Sequence, residues 1–136
     1  MKNIKSSLIF ILLFGCAFIS CKKGPGEGGN SNITGYIQDS VYNASFLFTV
    51  GGHPGQDEDV YIIYGDDISY GDRIKSGPDG RFEFKYLRKG SYRLYLYSDT
   101  TTSVVDSFGK VVLMKNAEIT GKHQTVDIDT FFVKKN

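Results

Sequence analysis

Two cysteines, two histidines, a run of acids and nine tyrosines are the side chains of this 136-residue sequence whose types could do chemistry. His53 lies in Gly51-Gly52-His53-Pro54-Gly55 and His123 in Gly121-Lys122-His123-Gln124, two separate stretches of loop composition. Neither has a serine or cysteine paired with it, as a nucleophilic triad requires. No His-Glu-x-x-His or Cys-x-x-Cys spacing is present to hold zinc. The acids Asp57-Glu58-Asp59, Asp66-Asp67 and Asp72 are rich in oxygen, but the regular spacing of a calcium loop is missing, so they read as solvated turns flanking a strand. No catalytic residue, metal site or cofactor is therefore expected, and the chain reads as non-enzymatic. The tyrosines are different. In Ser91-Tyr92-Arg93-Leu94-Tyr95-Leu96-Tyr97 strict alternation puts Arg93, Tyr95 and Tyr97 on one face and Tyr92, Leu94 and Leu96 on the other. Tyr61 and Ile63 join the first face if the strands pair. A tyrosine row of this kind either stacks on sugar rings or packs beneath another layer of the protein. Arg93, Tyr95 and Tyr97 are accordingly the candidate ligand face.

The cysteines belong to an address. Lys2 and Lys5 precede thirteen uncharged residues, Leu8 to Ser20. Crossing a bilayer takes ~20 apolar residues, so this run is too short for a membrane helix and has the parts of a secretory signal peptide. Phe18-Ile19-Ser20-Cys21 resembles a bacterial lipobox, in which the cysteine is acylated and becomes the new N-terminus. Leu13-Phe14-Gly15-Cys16 is a competing site. Cys21 is preferred, because charge begins only at Lys22 and cutting before Cys16 would leave Ala17-Phe18-Ile19 as an apolar stub. Acylation leaves no free thiol in the mature chain, which suits an oxidising envelope compartment. Lipoprotein sorting resembles a rule in which Asp after the cysteine retains a protein at the inner membrane. Lys22 is not Asp, so a lipid-anchored position at the outer membrane is expected, on either leaflet.

Three parts follow: a signal peptide over 1–20, a lipidated Cys21 with a glycine-rich tether over 21–32, and one domain over 33–135. The tether, Gly24-Pro25-Gly26-Glu27-Gly28-Gly29-Asn30-Ser31-Asn32, has no apolar side chain to bury and is expected to stay flexible. Removing Lys2 and Lys5 from the 16 basic residues leaves 14 against 15 acids, net −1. Nucleic acid is excluded as a partner, since no basic face dominates.

Within the domain the periodicity is that of strands. Arg81-Phe82-Glu83-Phe84-Lys85-Tyr86 alternates charge and ring, and Val60-Tyr61-Ile62-Ile63-Tyr64 is an apolar run stopped by Gly65-Asp66-Asp67. Residues 33–38, 45–50, 111–114 and 126–129 add further strands. Gly77-Pro78-Asp79-Gly80 should close a hairpin between residues 72–76 and 81–86, and Lys89-Gly90 should make the next turn. Strands and turns every eight to twelve residues predict an all-β sandwich of about seven strands. Phe82, Phe84, Leu87, Tyr92, Leu94 and Leu96 should point inward together.

The stretch Asp79-Gly80-Arg81-Phe82-Glu83-Phe84-Lys85-Tyr86-Leu87-Arg88-Lys89-Gly90-Ser91-Tyr92-Arg93-Leu94 resembles the D-G-x-F-x-F-x-x-L-x-x-G-x-Y-x-L hallmark of carboxypeptidase regulatory-like and Cna-B-type domains. The resemblance implies a seven-stranded, Greek-key, transthyretin-like (prealbumin-like) sandwich, and the lipoprotein start resembles those of Bacteroidota envelope proteins. Some Cna-B-type domains form an internal isopeptide bond assisted by an acid two residues after the final Leu of the motif. Leu96 stands at that position, so no such bond is expected. Asn43-Ala44-Ser45 carries little weight in a bacterial chain, whereas Asp39-Ser40-Val41 and Asp99-Thr100-Thr101 resemble the short O-glycosylation motif of Bacteroidota envelopes. The expected task is binding or scaffolding, with an envelope protein or a glycan as partner and the membrane held through the lipid. Carbohydrate capture and a fimbria-like structural subunit stand as alternatives.

Overall fold

A computed structural model describes residues 23–43, 45, 47–100 and 109–136. Cys16, Cys21, Ala44 and Thr101, with the lipidation and modification expectations attached to them, lie outside the described residues. The chain forms eight strands: β1 (Glu27–Tyr42), β2 (Thr49–Pro54), β3 (Asp59–Tyr64), β4 (Asp72–Lys75), β5 (Arg81–Leu87), β6 (Gly90–Asp99), β7 (Lys110–Ile119) and β8 (Thr125–Lys135). They make two four-stranded sheets stacked as a sandwich. One has the order β4-β3-β6-β7 and is antiparallel throughout. The other is organised around β1, which pairs in parallel with β8 on one edge. Its other edge is shared: β5 runs antiparallel to residues between Glu27 and Tyr36, and β2 takes over from Gln38 to Tyr42.

The period-two pattern decides which side chains meet between the sheets. Phe82, Phe84, Leu87, Tyr92, Leu94 and Leu96, expected inside, are all at most 2% exposed. Ile33 and Ile37 of β1, Val60 and Ile62 of β3, Ile119 of β7, and Ile128, Phe131 and Val133 of β8 complete the core. Phe82 lies 6.1 Å from the Phe131 ring and 6.4 Å edge-on from Phe84, within the range where aromatic pairs add to simple burial.

Four expectations need correction. The strands number eight rather than seven. The segment expected over 45–50 forms instead at Thr49–Pro54, so His53 and Pro54 belong to a strand and not to a loop. Asn43 explains the shift: its Oδ1 accepts from the amides of Leu47 (2.9 Å) and Phe48 (3.1 Å), making these residues a capped turn.

The third correction concerns Gly77-Pro78-Asp79-Gly80, which does not close a hairpin within a sheet. β4 and β5 lie in opposite sheets, and the turn carries the chain across the sandwich. Its local chemistry is as read, with Arg81 N–H on Asp79 Oδ1 at 3.0 Å and Gly80 N–H on the Gly77 carbonyl at 2.9 Å. What diverts it is buried Ser76, which donates to the Gly55 carbonyl (2.5 Å) and accepts from the Glu58 amide (3.0 Å). The periodicity of a sequence cannot say which sheet a strand joins.

Last, the glycine-rich stretch is not a loose tether. From Glu27 onward it is strand β1, so the folded unit starts before Ile33. Arg88 supplies the missing partner: its Nε donates to the Gly24 carbonyl at 2.7 Å and its Nη1 to that of Glu27. Backbone groups that bury no side chain are still held when a guanidinium reaches back to them.

Candidate functional site

The alternation of β6 sends Tyr95 and Tyr97 to the outer face of the antiparallel sheet while Tyr92, Leu94 and Leu96 fill the core. Antiparallel pairing then sets Tyr61 of β3 directly opposite Tyr95. Their rings stack at 4.9 Å with 10° between planes. Tyr97 stands nearly perpendicular to both, 5.9 Å from Tyr95 and 6.0 Å from Tyr61. Tyr70, from the β3–β4 loop, closes the group edge-on to Tyr61 at 5.1 Å. On the next strand Met114 lies opposite Tyr95 and Val112 opposite Tyr97, both largely exposed. Tyr97 and Tyr70 retain 42% and 51% of their surface, so among the described residues no second layer covers these rings.

Ring–ring contacts of this kind are worth about 0.5–1.5 kcal/mol each, which holds the four side chains in place before any partner arrives. Burial pushes the Tyr95 hydroxyl above its ordinary pKa, with Tyr97, Tyr61 and Tyr70 adding to the rise. With the Tyr95 hydroxyl thus kept protonated across the physiological range, the cluster presents a surface at that ring rather than a charged nucleophile. It offers flat apolar area rimmed with hydroxyl groups.

Arg93 shares this face but works inward. Its Nη2 donates to the carbonyls of Gly65 (3.1 Å) and Asp67 (2.7 Å), anchoring the loop that carries Tyr70. Ile63, opposite Arg93, is buried on the same side. Further along β6, at Arg93, an open depression of about 540 Å³ is lined by Asp66, Arg93, Asn116 and Glu118 among others. Sequence periodicity found Tyr95, Tyr97 and Tyr61; Tyr70, Met114 and Val112 were missed. A loop residue and the partner strand's register leave no signal along one strand.

The remaining candidate groups are dispersed. Glu58 pairs with Lys135 at 2.7 Å, and Asp59 faces Arg73 (3.8 Å) and Lys75 (3.9 Å), so these acids meet cations rather than one another. Among the described residues no three histidine, cysteine or acidic side chains gather as a metal site. His53 rests on the Pro54 carbonyl, and His123 Nε2 accepts from the Asn30 side-chain amide at 3.1 Å. Ser40 of the Asp39-Ser40-Val41 motif lies in β1 between β2 and β8. Leu96, where an isopeptide-forming domain would carry an acid, is buried in the core.

No protein-family description and no curated protein matches the chain. Among solved structures it is similar to a proposed carbohydrate-binding protein from Pseudomonas aeruginosa, at 12% identity and a TM-score of 0.44, over 81% of this chain and 91% of that one. It is also similar to an (S)-allantoin synthase, at 12% identity and a TM-score of 0.40, over 75% of this chain but only 41% of the enzyme. Both likenesses are too distant to carry a function across to this chain.

Proposed function

We propose that the protein is a non-enzymatic binding module of a bacterial cell envelope, moored by lipid on Cys21 at the outer membrane, and that it takes its partner on the outer face of the antiparallel sheet. One observation carries the reading: Tyr61, Tyr70, Tyr95 and Tyr97 form a single pre-ordered aromatic cluster, with Met114 and Val112 beside it, open to solvent. Exposed aromatic surface of this kind is costly in water and marks contact sites, because rigid rings lose little entropy on binding. A glycan is the sharper form of the proposal. The polar depression at Asp66, Asn116 and Glu118 reaches Arg93, two residues along β6 from Tyr95, and sugars are held by apolar ring faces together with a few polar groups for their hydroxyls.

The test is a Tyr95→Ala/Tyr97→Ala variant compared with wild type on a glycan array and in pull-downs from envelope extracts. We expect at least tenfold weaker binding, about 1.4 kcal/mol, with an unchanged far-ultraviolet spectrum. A signal on saccharides supports glycan capture, and a signal on envelope proteins alone supports scaffolding. Wild-type binding by the variant sinks the tyrosine face.

A further inference from the structure

The end of the sandwich that carries Lys23 holds a cationic depression. Lys23, Arg88, Lys89 and Lys122 line one depression of about 840 Å³ together with Gly28, Gly29 and Asn30, and no carboxylate is among its lining residues. These cations come from three places in the sequence: the N-terminal segment, the β5–β6 turn and the β7–β8 turn. Lys23, Lys89 and Lys122 are exposed. Arg88 is spent on the carbonyls of Gly24 and Glu27, and that clamp fixes where the chain leaves the domain. Acids share this end, with Glu27 accepting from the Tyr64 hydroxyl at 3.4 Å, Glu118 opposite Ser91 at the start of β6, and Asp66 and Asp67 on the β3–β4 loop, so the excess of cations is confined to the depression itself.

Cys21 precedes Lys23 by two residues, which span at most about 7 Å of extended chain. With residues 24–27 clamped, an acyl group on Cys21 would leave the domain little room to swing. This inference rests on the lipid-anchor reading above for its geometry. We propose that Lys23, Lys89 and Lys122 dock on the phosphates of anionic phospholipids, so that the domain stands on the membrane by its basic end with the tyrosine face turned sideways. A net charge near zero overall does not oppose this, because a surface potential acts only within about 10 Å, and there the local charge counts. Each lysine near an anionic surface strengthens association roughly fivefold.

The test uses the full mature protein in two kinds of vesicle, phosphatidylcholine alone and an equal mixture with phosphatidylglycerol. Lysines are acetylated and read by peptide mass spectrometry. We expect Lys89 and Lys122 to be modified severalfold more slowly on the anionic vesicles, with the protection removed by high salt. Lys75 and Lys110, at the opposite end, should react equally on both. A Lys89→Glu/Lys122→Glu variant should remain membrane-bound but lose the protection of Lys23. Equal labelling of the basic end on both vesicles overturns the proposal. Failure of the anchor reads out separately, as an intact mass without acyl chains. In that case sedimentation of the unacylated protein with anionic but not neutral vesicles still supports the basic docking end, and no sedimentation with either overturns it.

Discussion

Asp39 is the residue at which the sandwich is least at ease. It is 3% exposed on β1, its Oδ1 has no hydrogen-bond partner among the described residues, and His53 is 4.0 Å from its Oδ2. Burial raises its pKa, and the opposing pull of Lys135 does not cancel that rise. A carboxyl whose folded-state pKa is raised binds its proton more tightly in the native state than in the unfolded chain. It therefore favours folding most below the unfolded pKa, and that contribution is lost as pH climbs through the folded value. Asp39→Asn cannot ionise. Urea unfolding should give equal midpoints for variant and wild type in acid, with the variant becoming the more stable as pH rises to neutrality. A gap that closes with rising pH would contradict this assignment.

Among elements, the N-terminal half of β1 depends on side chains far along the chain. Tyr92 is buried in the core, yet its hydroxyl reaches out to donate to the Arg88 carbonyl at 2.6 Å and to accept from the Gly26 amide at 3.0 Å. One phenol thus ties the β5–β6 turn to the N-terminal segment, and burial outweighs these bonds in raising its pKa. Tyr92→Phe keeps the ring and removes the tie. It should cost about 1–3 kcal/mol in urea unfolding, because the Gly26 amide is left without its partner, and hydrogen exchange over residues 24–28 should speed up. Unchanged exchange there would mean Arg88 alone holds the segment. Gly80 plays the matching part at the other end of β5. Its φ of +77° and a Cβ position 2.3 Å from the Ile37 carbonyl leave no space for any side chain, and this is where β1 changes partner from β5 to β2.

For the molecule as a whole, the parallel pairing of β1 with β8 joins residues such as Ile33 and Val126, almost the full length of the domain apart. Four of the seven connections also cross from one sheet to the other. Such non-local closure makes folding slow, so refolding from urea should proceed over milliseconds to seconds. Stopped-flow fluorescence of the tyrosines measures this directly, and completion within microseconds would be inconsistent with the topology. The same architecture separates two surfaces, with a basic end beside the route to Cys21 and an aromatic face along the side of the antiparallel sheet.

Much of this was written in the linear chain. Alternation in residues 81–97 determined which side chains are core and which face outward, since a strand's two faces follow from its pleat alone. Asp79, Gly80 and Gly90 likewise owe their places to local backbone needs that residue type announces. Periodicity carries no information on which strands become neighbours, in which sheet, or in what register. For that reason the crossing at Gly77-Pro78-Asp79-Gly80, the extension of β1 back to Glu27 beside β5 and Arg88, and the arrival of Tyr70, Met114 and Val112 beside Tyr95 were decided only in three dimensions. Each depends on a contact between residues distant in sequence, and such contacts exist only once the core has closed.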